Sequence, residues 1–262
     1  MEHIRDIIKR TSSSDILKES RKLQDINENP VTTECPVCKG AGFIYPSTNG
    51  KPDYSITIPC HCVKNIHLSR RKEYLLKYCE LPKKSDDMRF DNFEVYPEIK
   101  SAFKTAKTIA SHPDRWWWVT FMGSNDTGKT HLAIAICKAW INQGVAAKYA
   151  YVPFLLDELR EGYKLQNDNS FEQRFRRLCD VPLLVLDDLG KGKPSEWAIE
   201  KLETLVDYRA MNKLSLIVTT NKTIEEIQES VSFALGSRLV RYPEANIIEI
   251  NAIEHILRNK NE

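Results

Sequence analysis

Lys129 and Thr130 stand side by side directly after the loop Gly123-Ser124-Asn125-Asp126-Thr127-Gly128, with His131 next in the chain. The pattern is G-x-x-x-x-G-K-T. An ammonium, a hydroxyl and successive backbone N–H groups in a glycine turn are the donors that phosphate oxygens and a divalent cation need. Lys129 would neutralise phosphate oxygens, Thr130 would ligate Mg²⁺, and the backbone from Gly123 to His131 would cradle a triphosphate such as ATP. The loop follows the apolar run Trp116–Met122 and opens a helix-like segment over 129–142. That strand–loop–helix setting is what a phosphate loop requires, and a bare glycine turn would not call for it.

Further along, Leu183-Leu-Val-Leu runs into two carboxylates, Asp187 and Asp188. A buried strand ending beside the phosphate loop would deliver Asp187 as a water-mediated Mg²⁺ ligand. Asp188 would stand where it can polarise an attacking water or accept its proton. A third apolar run, Leu216-Ile-Val-Thr-Thr, ends at Asn221, which fits the task of positioning water against the γ-phosphate. Gly236-Ser-Arg238-Leu-Val-Arg241 carries two arginines whose spacing alone does not separate a catalytic role from a solvated one.

Seven cysteines complete the reactive inventory. Cys35-Pro-Val-Cys38 and Cys60-His-Cys62 give two close pairs, each on a tight turn, that can converge on one tetrahedral Zn²⁺. His61 or His67 could stand in for one sulfur. Such an ion would hold together residues 31–62, which are too few to bury an adequate core. Cys79, Cys137 and Cys179 fall in helical patterns and are expected to pack as small apolar side chains.

The elements that must position these groups follow from periodicity. Strands are expected at Trp116–Met122, Ala147–Val152, Leu183–Leu186, Leu214–Thr219 and Asn246–Ile250. Helices are expected over 97–111, 129–142, 153–164, 170–179, 194–212 and 223–232. This alternation indicates βαβ units and a mainly parallel sheet. Residues 1 to about 30 read as one or two amphipathic helices carrying Ile4, Ile7, Ile8, Ile16 and Leu17. The organisation expected is an N-terminal helical and zinc-binding partner domain over 1–80, a polar linker over 81–87 and an ATPase domain over 88–262.

With 262 residues, 42% of them hydrophobic, and a net charge of +2, the chain can build a full core and is no general polyanion binder. It has no run of eighteen apolar residues and no signal-peptide core, so a cytoplasmic protein without membrane contact is expected. Two local clusters suit single-stranded DNA. Arg70, Arg71, Lys72 and Lys77 interleave with Tyr74 and Tyr78, and Arg174, Arg176 and Arg177 follow Phe171. A solvated helix face is the plainer reading of each.

The series GSNDTGKT, LLVLDDLG, IVTTN and SRL, with 58 residues from Lys129 to Asp187, resembles the AAA+ ATPases of the bacterial helicase-loader group (DnaC/DnaI-like), close to the IstB transposition helpers. Met88-Arg-Phe-Asp-Asn-Phe93, Trp197 and Asp207-Tyr-Arg209 share that likeness, which covers about 88–262. The resemblance implies an α/β P-loop fold with a five-stranded parallel sheet, order 5-1-4-3-2 in its own numbering, and a segment around Phe90–Phe93 near the adenine. It implies that Arg238 is an arginine finger reaching a neighbouring subunit, with Arg241 as competitor, and that Arg258 stands where a sensor arginine would. The chain stops four residues later, so slow hydrolysis and a nucleotide switch are expected. The function implied is ATP-dependent loading of a hexameric replicative DNA helicase onto single-stranded DNA by a homo-oligomer. A helper that coats duplex DNA, or a non-catalytic ATP-sensing adaptor, are the alternatives.

Overall fold

The apolar runs after residue 115 become parallel strands in the computed structural model, which describes residues 35–48, 51–164, 168–192 and 194–252. The chain divides into two compact units, Met1–His67 and Leu68–Glu262. The amphipathic segments expected over 1–30 lie outside the described residues.

In the first unit, β1 (Phe43–Ile44) pairs antiparallel with β4 (Ile58–Pro59), and β2 (Ser47–Thr48) with β3 (Lys51–Pro52). Helix α1 (His61–Cys79) begins in this unit and ends in the next. Among the described residues its buried cluster consists of Cys35, Cys38 and Cys60, with Ile44 and Cys62 packed against them. Strands of two residues and a handful of sulfurs bury too little apolar surface to offset the chain entropy of ordering the segment.

The second unit is built on β5 (Trp118–Gly123), β6 (Ala147–Tyr151), β7 (Leu183–Asp187), β8 (Ser215–Thr220) and β9 (Ala245–Ile250). Their order is β6-β7-β8-β5-β9, every neighbouring pair parallel. Read from the β9 edge, this is the expected 5-1-4-3-2. Every residue of β7 and β8 is buried, which is why they read as unbroken apolar runs and not as alternating ones. Alternate side chains feed opposite faces. Val119, Phe121, Leu183, Val185 and Ile217 share one core with helices α2 (Lys100–Ser111) and α3 (Lys129–Asn142). Trp118, Leu184, Leu186, Leu216 and Val218 share the other, with α4 (Val152–Lys164), α5 (Asp168–Asp180) and α6 (Glu196–Met211).

Instead of one helix over 223–232, the chain forms α7 (Ile224–Ser230) and then α8 (Phe233–Val240). Ser232 separates them because its hydroxyl accepts from the Leu235 N–H at 3.2 Å, an N-cap that starts a new helix. The fully buried Arg209 donates to the carbonyls of Leu178 at 2.7 Å, Val181 at 2.8 Å and Ser215 at 2.6 Å. It thereby ties the end of α5 to the start of β8. The 81–87 stretch contains a 3₁₀ turn with Ser85 buried, and Lys138 of α3 donates to the Asp86 carbonyl at 3.1 Å. Among the described residues no helix is long and apolar enough to cross a membrane.

Candidate nucleotide site and cysteine cluster

β5 ends in Gly123 and α3 begins after Gly128, and both positions demand glycine. At Gly123 φ is +153°, and a Cβ would strike the Ile250 carbonyl on the neighbouring β9. At Gly128 φ is +87°, and a Cβ would sit 2.8 Å from the Phe93 ring. The loop between them folds around Lys129, whose Nζ donates to the Gly123 carbonyl at 2.9 Å, to the Ser124 carbonyl, and to Thr127 Oγ1 at 3.3 Å. Burial pushes the Lys129 pKa down, while the charges of Asp188, Asp187 and Asp126 pull it back up. A cleft of about 410 Å³ opens over this loop. Asn125 to His131 form one wall and Asn92, Phe93, Glu94 and Tyr96 another. His131 is turned away from a free role: its Nε2 donates to the Arg89 carbonyl at 2.8 Å, and its ring meets Phe93 edge-on at 4.9 Å.

Asp187, at the C-terminal end of β7, is 3% exposed and accepts three hydroxyl hydrogen bonds. These come from Thr130 at 2.8 Å, Tyr149 at 2.6 Å and Thr219 at 2.6 Å. Burial first, and then the Asp187 charge, push the Tyr149 phenol upward, keeping it a donor. The next residue, Asp188, takes a left-handed φ of +63° that turns its side chain into the cleft. Its N–H donates to Thr219 Oγ1 at 2.9 Å, so a single hydroxyl fixes both carboxylates. The Asp188 carboxylate meets Lys191 Nζ at 2.8 Å and Asn221 Nδ2 at 3.3 Å. Asn221 Nδ2 also donates to Asn125 Oδ1 at 2.7 Å, closing a chain from the phosphate loop to the carboxylate edge.

The structure thus brings Lys129, Thr130, Asp187, Asp188 and Asn221 to one cleft. Thr219, Tyr149 and Lys191 belong to the same network and escape the sequence reading. The only signal for Thr219 is a threonine pair closing an apolar strand. Arg238 lies elsewhere within the chain. On α8 it grips Asp207 of α6, with Nη2 to Oδ2 at 2.7 Å and Nε to Oδ1, and Glu203 stands 3.9 Å away. The hydrogen bond to Asp207 holds its pKa above the usual value. Arg241 is exposed, and Arg258 lies outside the described residues.

Part of the basic stripe on α1 is spent internally. Arg71 Nη2 donates to the Gly144 carbonyl at 3.2 Å and Lys77 pairs with Glu73 at 3.1 Å. Tyr78 stacks on Tyr74 with ring centres 6.4 Å apart, and burial raises its phenol to about 12. Arg174 and Arg177 on α5 are exposed. Cys79, Cys137 and Cys179 are buried.

Cys35, Cys38, Cys60 and Cys62 bring their Sγ atoms within 4.8 Å of one another. Cys35 and Cys60 are 3.8 Å apart, Cys38 and Cys62 3.5 Å. Four thiolates at about 2.3 Å from a tetrahedral zinc ion would stand about 3.8 Å apart, so the donor set fits such an ion. Lys39, Gly40 and Gly42 take positive φ, wrapping the turn so that N–H groups face the sulfurs. The N–H groups of Cys38 and Val37 lower the Cys35 pKa. At Cys38 burial opposes ionisation, but the N–H of Gly42 and the Cys62 thiol bring it down to about 6. His61 Nδ1 lies 3.5 Å from Cys60 Sγ and outside the converging group.

Comparison with known proteins agrees with this geometry. The model of the family of IstB-like ATP-binding proteins matches residues 61–261. The phage-like element PBSX protein XkdC of Bacillus subtilis is 25% identical over 244 residues, 87% of this chain and 86% of that protein. The replicative helicase loader DnaC of Escherichia coli is 29% identical over 120 residues, 46% of this chain and 47% of DnaC. A crystal structure of the DnaC helicase loader superposes with a TM-score of 0.58 at 25% identity, over 65% of this chain and 100% of that one. AMPPCP-bound DnaA from Aquifex aeolicus, at 19% identity and a TM-score of 0.57, shares the fold over 67% of this chain and 55% of its own. The chain belongs to the IstB-like ATP-binding proteins, AAA+ proteins related to the DnaC and DnaI helicase loaders and to DnaA.

Proposed function

We propose that this protein is an ATP-dependent loader of a hexameric replicative DNA helicase, acting in the cytoplasm as a nucleotide-controlled oligomer that hydrolyses ATP slowly. The observation that carries the reading is the likeness to the DnaC helicase loader, whose solved structure this chain covers over its full length. The cleft supports the chemistry. Lys129, folded back on the carbonyls of Gly123 and Ser124, has only to exchange them for phosphate oxygens. Thr130 and Asp187 already share a hydrogen bond and form an oxygen-rich corner suited to Mg²⁺, which when bound would neutralise charge on the phosphates. Asn221, bridging Asn125 and Asp188, orients a water, and Asp188 takes its proton once it is free of Lys191. Arg238 reaches a neighbour's γ-phosphate only after leaving Asp207, which makes the subunit contact conditional. The four-cysteine module holds a structural Zn²⁺ and faces the partner.

Affinity capture of the full chain with a non-hydrolysable ATP analogue, against ADP, tests the reading. Recovery of a hexameric helicase only in the triphosphate state is expected, and recovery of none overturns it. The match to IstB-like proteins favours a second reading, a helper that coats duplex DNA. It predicts long ATP-dependent filaments on plasmid DNA in the electron microscope, with no helicase partner.

A further inference from the structure

Helix α2 carries Lys100, Lys104 and Lys107 at helical spacing i, i+4, i+7, all exposed, opposite a buried face of Ala102, Ala106, Ile109 and Ala110. The three lysines line a shallow groove of about 500 Å³ with Val95, Phe103 and His112. The charge pattern runs against what the helix itself favours. No acidic residue occupies the first turn, where the helix end is positive, and Lys100 sits there instead. Lysines four and three residues apart repel one another. No Asp or Glu occurs between Ile99 and Pro113, and among the described residues none of the three lysines makes an ion pair. The row leaves its positive charge available to an external anion.

We propose that this groove holds the phosphodiester backbone of single-stranded DNA. The inference rests on the loader reading and assigns its DNA contact to α2 in place of the arginines of α1 or α5. From Lys100 to Lys107 the axis rises about 10 Å, a length over which an extended strand lays down successive phosphates. A row suits a polymer better than a single small anion. Phe103 is half-buried in the groove, with Lys107 Nζ 5.7 Å from its ring centre, and adds apolar surface beside the lysine row. The same ring stacks on Phe93 at 5.4 Å and 24°, and Phe93 walls the nucleotide cleft beneath Gly128. Strand and nucleotide would therefore lie on either side of one aromatic pair.

The test is fluorescence anisotropy of a labelled oligo-dT with the full chain and an ATP analogue over a salt series. The variant is K100Q/K104Q/K107Q, since glutamine keeps helix propensity. Binding at least tenfold weaker is expected, with the slope of log affinity against log salt shallower by about two, and with analogue binding retained. Affinity within twofold of the unmodified chain at an unchanged slope overturns the proposal. So does an equal loss for duplex DNA of the same length, which would mark a general polyanion surface. Loss of an acidic protein partner with oligo-dT binding intact also overturns it. An unmodified chain that binds no oligo-dT removes the DNA contact altogether, whereas the loader reading fails separately, by the absence of captured helicase.

Discussion

The nucleotide cleft and the cysteine module hold functional atoms in place by opposite means. In the cleft, Asp187, Asp188 and Asn221 sit at the ends of strands whose every residue is buried, so the sheet does the positioning. In the module, strands of two residues converge on four sulfurs, and the sulfurs are themselves the core. A site built on a packed sheet survives loss of its ligand, while a site whose ligands are its core does not.

The largest expected effect breaks that contrast at the module. The double variant C35S/C60S, or a strong chelator, should make 35–67 protease-sensitive, because a structural zinc held by the proposed four-cysteine site would contribute about 10–16 kcal/mol to folding. Analogue binding at the cleft should persist. Limited proteolysis, metal analysis and a nucleotide titration check the three parts. Next in size, Lys129→Ala should weaken ATP at least ~100-fold through loss of a charge-assisted contact, with zinc content and melting temperature unchanged. A smaller effect is expected from Thr219→Val. It strips a donor from Asp187 and an acceptor from the Asp188 N–H, costing about 1–3 kcal/mol in thermal unfolding, and it should weaken magnesium-dependent analogue binding. Smallest is Lys191→Met. Its pair with Asp188 is exposed on the lysine side, and such pairs are worth about 0–1 kcal/mol. Steady-state ATP turnover should rise by up to about fivefold as Asp188 is freed, and a fall would show that Lys191 contacts the nucleotide.

The same contrast explains what the sequence disclosed. Strands β7 and β8 were the most legible of the five because both-face burial writes itself as runs such as Leu183-Leu-Val-Leu, and the phosphate loop because its glycines and Lys129 leave little choice of chemistry. Their limits shift by a residue or two: β5 starts at Trp118, since Trp116 and Trp117 lead into the strand. Helix α8 was not legible, because Gly236 and the arginine pair look like a loop. A Cβ at Gly236 would meet the Gln228 side chain and the Ile224 carbonyl, so the glycine serves the close approach of α7. The hydroxyl network around Asp187 was hidden for another reason. Tyr149, Thr219 and Thr130 come from three different elements and meet only through the order of the strands. The latch between Arg238 and Asp207 likewise joins residues 31 apart on two helices, a meeting that periodicity cannot reveal.

Asp187 has a consequence for how quickly the cleft can respond. Three hydroxyl protons already point at its oxygens, so the carboxylate stands aligned before any cation arrives. An incoming ion need only trade places with the Thr130 proton, a rotation about one bond, while the strand beneath stays still. The protein's own share in admitting a metal is then a side-chain rotation and not a movement of the sheet.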